Sequence, residues 1–495
     1  MIEKVSGRKL FIGYMGLFMM LIGVILLVPL IMIIFYQEDY IYAKDFILPG
    51  ISSIFVGFFL YLLIFKKEKG NLKKGSDIAL VLTIWLLAIL ISSIPFMLTG
   101  KFNFTQAVFE TTSAYTTTGL SVVDVSVTPH IFLFYRSFML FVGGIGLVLI
   151  LTSATSDSRS MNIYLIEGHN DKLLPNLIKS SRLIFSIYFG YMILGVCLYL
   201  LAGMDLFDAV NHSMSALSTG GFSTNPASIG GYNNIWIEIV TVLLMILGST
   251  NFIIHYYLMR RKFKEAFIHF EFEVSGILLC VVLPLLVLTF VRSGYDLLTS
   301  CRYGVFEFFS ALTTTGFQII PDYSKTSGTT HILIIILMIV GGQCGSTSGG
   351  IKQGRIGLAF KGILNYLSIK NKTEHVISTK YYNKFGNKEI LTNDAVNSSF
   401  VYILLYLSLL VVGSFIISFG GYDFGDSFFE MTSALGTVGL SVGITSYNTA
   451  PYVLWTLAVG MFLGRIEIVI VFEFFMNSFK IKKRGIVKKY DKENT

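Results

Sequence analysis

The stretch SAYTTTGLS, Ser113 to Ser121, sets three threonines and a glycine between apolar segments. Its register recurs three more times. FETTSAYTTTGLS from Phe109, NHSMSALSTGGFS from Asn211, FEFFSALTTTGFQ from Phe306 and FEMTSALGTVGLS from Phe429 align without gaps. Counted back from the shared glycine (Gly119, Gly221, Gly316, Gly439), the residue two before is always threonine: Thr117, Thr219, Thr314, Thr437. Five before stands alanine (Ala114, Ala216, Ala311, Ala434) and six before stands serine (Ser113, Ser215, Ser310, Ser433). A fourfold repeat of this kind fixes the architecture before any single motif is interpreted.

The surrounding chain belongs in a bilayer. Of 495 residues 54% are hydrophobic and 14% charged, and the mean hydropathy is +0.69, far more apolar than a soluble domain. Uninterrupted spans are expected at Phe11 to Tyr36, Phe46 to Phe65, Ala79 to Gly100, Leu183 to Met204, Val274 to Val291 and Phe400 to Gly420, each long enough for a hydrocarbon core of roughly 30 Å. Four more, Ile131 to Ser153, Ile235 to Met259, Ile332 to Ile351 and Tyr452 to Phe475, are broken by small residues or a charge. The first segment follows Lys4, Arg8 and Lys9 without a cleavage-like site, which predicts an anchored helix and not a removable signal.

With ten alternating spans, 31 of the 38 basic residues fall on one side, predicting both termini in the cytoplasm. Arg465 is taken as the single basic residue deep in a span. The net charge of +8 then reflects topology and attraction to anionic lipid headgroups, with no support for nucleic-acid binding. Cys197, Cys280, Cys301 and Cys344 stand singly, and the seven histidines form no metal-ligand spacing; no disulfide framework, zinc site or covalent cofactor is expected.

Each repeat copy is preceded by an uninterrupted span and followed by one with a small-residue break: Gly143-Gly144, Gly248-Ser249, Gly341-Gly342, Gly464-Arg465. The apolar pieces before the tracts, Phe102 to Tyr115, Asp205 to Leu217, Gly304 to Leu312 and Tyr422 to Leu435, reach roughly 14 to 21 Å as helix, about half a membrane. Each must enter, stop and return, and the returning backbone needs a protein-lined or wet cavity. The expected fold is an all-α polytopic membrane protein. Four helix, pore loop, helix repeats (77–160, 161–270, 271–390, 391–480) stand in pseudo-fourfold arrangement around one pore, after an N-terminal helix pair (1–76) and before a basic cytoplasmic tail (481–495).

A ring of backbone carbonyls supplemented by threonine hydroxyls replaces the hydration shell of a monovalent cation. The shared glycine permits the backbone angles needed, and half-helix C-termini aimed at the axis favour positive charge. Glu110, Glu307 and Glu430, nine residues before the glycine, with His212 in the second copy, either brace the loops or set an external negative field.

The repeat unit, GTVGL (Gly436 to Leu440), GGQCGSTSGGIK (Gly341 to Lys352) and GMFLGRIEI (Gly460 to Ile468) closely resemble the Trk/Ktr/HKT superfamily of potassium transporters, over nearly the whole chain. The two extra N-terminal helices look more like the bacterial TrkH/TrkG type than the shorter Ktr type. The resemblance implies K+ as the transported ion and a selectivity filter at Thr116, Thr117, Thr118, Gly119, Ser218, Thr219, Gly220, Gly221, Thr313, Thr314, Thr315, Gly316, Gly436, Thr437, Val438 and Gly439. It implies a gating loop containing Gly341, Gly342, Gly345, Ser346, Thr347, Ser348, Gly349 and Gly350, with Arg465 as an electrostatic barrier beside it. For Arg465 the residues alone leave open an ion pair with Glu467 or a snorkelling cation. Sodium-preferring plant relatives carry serine at the first shared glycine, so Gly119 favours potassium.

Further implications are a homodimer in the bacterial inner membrane and a cytoplasmic nucleotide-binding regulatory ring of the RCK/KTN, TrkA-like kind, through which alone nucleotide would act. Coupling to Na+ or H+, or weak Na+/K+ discrimination, is the alternative on the same fold. A membrane enzyme or scaffold is the alternative of another class, opposed by the lack of paired carboxylates or a Cys/His constellation.

Overall fold

The computed structural model describes residues 7–65, 76–147, 149, 177–321, 323, 326–370 and 380–476. The expected basic tail 481–495 and the basic run 66–74 lie outside them. Among the described residues the regular structure is helical apart from one hairpin. α1 (Gly7–Leu27) and α2 (Ala43–Phe65) precede the repeats. Repeat 1 is α3 (Ser76–Leu98), α4 (Phe104–Tyr115) and α5 (His130–Ile145); repeat 2 is α6 (Leu177–Leu201), α7 (Leu206–Leu217), α8 (Ile235–Ser249) and α9 (Phe252–Met259). Repeat 3 is α10 (Phe270–Arg292), α11 (Leu297–Leu312), α12 (Gly328–Val340) and α13 (Gln353–Lys370), followed by the antiparallel strands β1 (Tyr381–Lys384) and β2 (Asn387–Ile390). Repeat 4 is α14 (Asn393–Ser418), α15 (Phe424–Leu435) and α16 (Pro451–Ile466), continued by α17 (Ile468–Met476).

Among the described residues six helical stretches are long and apolar enough to cross a membrane, or up to eight if each bent pair counts as one span. The bent pairs are α8 with α9, turned by 104°, and α16 with α17, turned by 96°; α5 and α12 are shorter apolar helices. These account for the ten apolar segments read from the sequence. All four second helices end at the small-residue break, at Ile145, Ser249, Val340 and Ile466.

The four short helices occupy the centre, and residues 106–115 of α4 are all buried. Each starts on a side chain that accepts from its first-turn backbone: Asn103 from Gln106 N, Asp205 from Phe207 N, Asp296 from Thr299 N and Asp423 from Gly425 N. Such caps satisfy donors that the helix itself cannot. Asp296 stands one turn further from its glycine than the other three caps do, so α11 begins at Leu297 and not near Gly304. The long helices turn apolar side chains outward, with Phe55 70% and Leu201 84% exposed, as a lipid-facing surface requires.

α1 and α2 are held by glycines seven residues apart on each helix. A Cβ on Gly23 would sit 2.6 Å from the Gly50 carbonyl oxygen, and one on Gly57 2.5 Å from that of Gly16. Without a hydrophobic drive between helices in lipid, such close backbone approach carries the packing. Gly57→Leu is expected to destabilise the protein by roughly 1–3 kcal/mol through overpacking, read as a lower thermal midpoint in detergent. Leu48→Ala, at a position 65% exposed, is expected to leave that midpoint unchanged.

Candidate functional site

Each short helix runs into its tract through the same turn. The N–H two before the shared glycine donates to the fixed alanine carbonyl, as in Thr117 N to Ala114 O, 3.1 Å, and the N–H one before it donates to the fixed serine carbonyl, as in Thr118 N to Ser113 O, 2.9 Å. The pairs recur at Thr219/Gly220, Thr314/Thr315 and Thr437/Val438. This is a Schellman termination, whose left-handed position usually holds glycine. Here it holds threonine in all four copies, with φ of 54, 53, 55 and 49° at Thr117, Thr219, Thr314 and Thr437. A β-branched residue there is a genuine outlier and costs on the order of 1–3 kcal/mol. The side chain is kept despite that cost.

φ alternates in sign along each tract. It is negative at Thr116, Ser218, Thr313 and Gly436 and positive at the threonine. It turns negative again at Thr118, Gly220, Thr315 and Val438, then positive at the shared glycine (93, 70, 83 and 98°). Alternating handedness turns successive peptide units to one side, the geometry that gathers N–H groups into anion nests. In these tracts N–H groups point back into the short helix, so the carbonyls face away from it.

The tracts close on one another in cyclic order. A Cβ on Gly119 would fall within the van der Waals sphere of the Gly220 carbonyl oxygen, one on Gly221 within that of Thr315, one on Gly316 within that of Val438, and one on Gly439 within that of Thr118. Each shared glycine thus abuts the carbonyl before the shared glycine of the next repeat, and the fourth meets the first. Eight of the sixteen tract residues expected from the sequence are thereby brought together, and the other eight form the turns that lead into the ring.

The buried glutamates brace the loops. Glu110 accepts from Ser121 Oγ and Val122 N, both 3.0 Å, and pairs with Arg136 Nε at 2.6 Å. Glu307 accepts from Ile319 N at 2.9 Å and from the Tyr323 hydroxyl. Glu430 accepts from Ser441 Oγ, Val442 N and Thr445 N at 2.9 to 3.2 Å. His212 Nε2 lies 2.9 Å from Ser223 Oγ. Among the two roles left open by the sequence, bracing is the one these contacts perform. Arg136, inside the expected span Ile131 to Ser153, lies 2% exposed within α5, so Arg465 is not the single basic residue inside a span.

A cavity of about 410 Å³ opens on one side of the ring, lined by Gly119, Gly221, Gly316, Gly439, Asp124 and Tyr323 among others. Hydrogen bonds from the Ser126 hydroxyl and N–H hold the exposed Asp124 carboxyl below its usual range. On the other side lies the segment from Gly341 to Lys352. Gly349 N donates to Thr314 Oγ1 at 2.8 Å, and Thr347 Oγ1 lies 3.1 Å from Thr219 Oγ1. A Cβ on Gly349 would collide with Thr437 Oγ1 and the Gly436 carbonyl. The segment is clipped to the break in repeat 2: Gln343 N to Ser249 O, 3.1 Å, Thr347 N to Gly248 O, 3.2 Å, and Asn251 Nδ2 to Cys344 O, 2.5 Å. Ser346 and Ser348 pair with each other at 2.7 Å. Gly341, Gly345 and Gly350 adopt positive φ, Gly342 packs on Ser348, and the Lys352 ammonium caps the Ser348 carbonyl.

Arg465 donates to Thr347 O at 2.8 Å and to Gly143 O and Gly144 O at 2.5 and 2.9 Å. It bridges this segment to the break of repeat 1. Glu467 pairs instead with Arg355, because the chain turns at Glu467 with φ 70°. Neither the Glu467 pair nor a snorkelling position describes Arg465. Thr117 Oγ1 and Thr437 Oγ1 are buried without a protein hydrogen-bond partner, and no group of three His, Cys, Asp or Glu that could hold a metal occurs among the described residues.

The comparisons agree with this architecture. The family model TrkH, described as a cation transport protein, matches residues 49–292 and 279–484. The chain is 29% identical to an uncharacterized cation transporter, MJ1485, of Methanocaldococcus jannaschii, over 93% of this chain and 94% of that one. It is 29% identical to the Trk system potassium uptake protein TrkG of Escherichia coli K12, covering 94% and 97%, and 28% identical to TrkH of Halomonas elongata, covering 95% and 99%. The crystal structure of the potassium transporter TrkH from Vibrio parahaemolyticus superposes with a TM-score of 0.81 over 94% of this chain and 98% of that one, at 24% identity, which establishes a shared fold. A membrane protein built of helices around a fourfold ring, this chain belongs to the TrkH family of cation transport proteins.

Proposed function

We propose that the chain is the potassium-translocating, pore-forming subunit of a Trk-type uptake system. The observation that carries this is the closed ring of glycine-to-carbonyl contacts through Gly119, Gly221, Gly316 and Gly439. Four carbonyls gathered in this way substitute for water around a dehydrated monovalent cation. The oxygens of Thr118, Gly220, Thr315 and Val438 form one plane of ligands, and the unpartnered hydroxyls of Thr117 and Thr437 supply acceptors below it. A buried polar atom without a protein partner calls for a water or an ion. Four short helices end at the ring and add their negative dipole ends. Asp124 keeps a negative charge at the mouth of the 410 Å³ cavity, which raises the local cation concentration. The relatives named as Trk potassium uptake proteins in Escherichia coli and Halomonas elongata favour K+ as the cargo.

The segment from Gly341 to Lys352 is the gate in this proposal, and Arg465 holds it shut while placing a positive charge beside the path. Opening exchanges the bonds that this segment makes to Gly248, Ser249 and Asn251 for others. The signal comes from a nucleotide-binding, TrkA-like ring against the face that bears residues 260–269 and the β1–β2 hairpin. The excess of lysine and arginine on that side supports placing it, with both termini, in the cytoplasm of a cell whose inner membrane holds the protein as a homodimer.

Expression in cells that lack their own potassium uptake, with rubidium and sodium fluxes measured in parallel, tests the reading. Rubidium uptake exceeding sodium uptake is expected. Absence of both fluxes, despite correct insertion and a supplied regulatory partner, defeats it; equal fluxes favour an unselective pathway. In Gly119→Ser the new Cβ meets the Gly220 carbonyl at φ 93°, so the seam between repeats 1 and 2 has to widen. The expected outcome is a fall in rubidium-to-sodium preference of about tenfold, equivalent to 1.4 kcal/mol. Arg465→Ala removes a unit charge whose repulsion on a nearby cation is on the order of 1–4 kcal/mol. Basal flux without the regulatory partner is expected to rise roughly tenfold, and unchanged flux at normal protein levels contradicts the barrier role.

A further inference from the structure

The braces behind the ring also touch the neighbouring repeat. Arg136 spends the edge of its guanidinium on repeat 1, through Glu110 Oε1 at 2.6 Å and Ser121 Oγ at 2.7 Å. Its face lies over the ring of Phe222, 4.0 Å from the centroid. Phe222 directly follows Gly221, the shared glycine of repeat 2. Both side chains are 2% exposed, so neither contact competes with water. The next seam has a weaker version of the same device: His212, the brace of repeat 2, stands 5.7 Å from Phe317, which follows Gly316. At the other two seams the residue after the glycine is aliphatic, Leu440 and Leu120. Counted from the break glycine, the positions matching Arg136 are Thr241, Ile334 and Leu457, none of them charged.

We propose that Arg136 and Phe222 are a positioning pair that sets the width of the carbonyl ring at the seam between repeats 1 and 2, and thereby its discrimination among monovalent cations. The proposal rests on the filter reading above. The seam it spans is the one where Gly119 abuts the Gly220 carbonyl, two residues from Phe222, and a guanidinium fixes both loops at once because its fork bonds in plane while its face stacks. Lysine supplies the charge without the fork, and leucine at 222 fills volume without the ring. The pair touches no ion and acts through the loops it holds.

The test is rubidium and sodium uptake into proteoliposomes for the unmodified protein, Phe222→Leu, Phe222→Tyr, Arg136→Lys and the Phe222→Leu/Arg136→Lys double variant. Phe222→Leu and Arg136→Lys are each expected to lower the rubidium-to-sodium ratio by about threefold or more. Phe222→Tyr retains the ratio, and the double variant falls no further than the worse single variant, as for two halves of one contact. A ratio unchanged in Phe222→Leu overturns the proposal, as does a proportional loss of both fluxes, which a merely structural role produces. Should Arg136→Lys fail to accumulate, the Phe222 pair of variants decides alone. If the unmodified protein shows no rubidium preference, the filter reading itself falls, which is a separate and prior outcome.

Discussion

Four glycines pressed against four carbonyls hold the centre of this molecule, and the rest of the fold is arranged to keep them there. Each contact joins the backbone of one repeat to the backbone of the next, so no loop shifts without moving its neighbours. A side chain at any of the four positions opens the ring. The same economy recurs one layer out. Gly143, Gly248 and Gly464 let the second helices approach the last carbonyls of their short helices, those of Tyr115, Leu217 and Leu435, without room for a Cβ. Helix ends, loop turns and second helices thus nest by backbone contact, which membrane packing favours.

The strained threonines give this centre its chemistry. Glycine in the left-handed position would relax the turn; threonine retains a hydroxyl and a methyl there at a cost of about 1–3 kcal/mol each. The four hydroxyls are not equivalent. Those of Thr219 and Thr314 are hydrogen-bonded to the Gly341–Lys352 segment, whereas those of Thr117 and Thr437 form no hydrogen bond to the protein. Repeat 3 breaks the symmetry by sending its own break segment under the ring, and Arg465 of repeat 4 ties that segment to repeat 1. A pseudo-fourfold frame therefore carries an asymmetric segment beneath its ring, the one that the proposed function makes the gate.

Much of this was legible in the sequence, because a repeat exposes what a single motif conceals. The fixed alanine and serine are the acceptors of the Schellman turn, and alanine is small enough to be wholly buried (Ala114, Ala216, Ala311 and Ala434 at 0%). The capping residues were also present as a signal: Asn103, Asp205 and Asp423 stand in one register and Asp296 a turn earlier, which is why α11 is longer than expected. Other features depend on depth and closure, which periodicity does not report. Arg136 lies in the second turn of its helix, and only the folded loops around it show that it is buried there and paired with Glu110. Glu467 neighbours Arg465 in sequence, yet the turn at Glu467 sends its carboxylate to Arg355. The glutamates could be assigned as braces only once the loops had returned to offer Ser121, Tyr323 and Thr445 as donors.

The most direct test of the central claim is anomalous diffraction from crystals of the protein grown in thallium, a monovalent ion close to potassium in size. Density on the axis level with the carbonyls of Thr118, Gly220, Thr315 and Val438 is the expected result. Thallium found only in the outer cavity beside Asp124, with the carbonyl ring intact and unoccupied, would contradict the claim that these four carbonyls bind the transported ion.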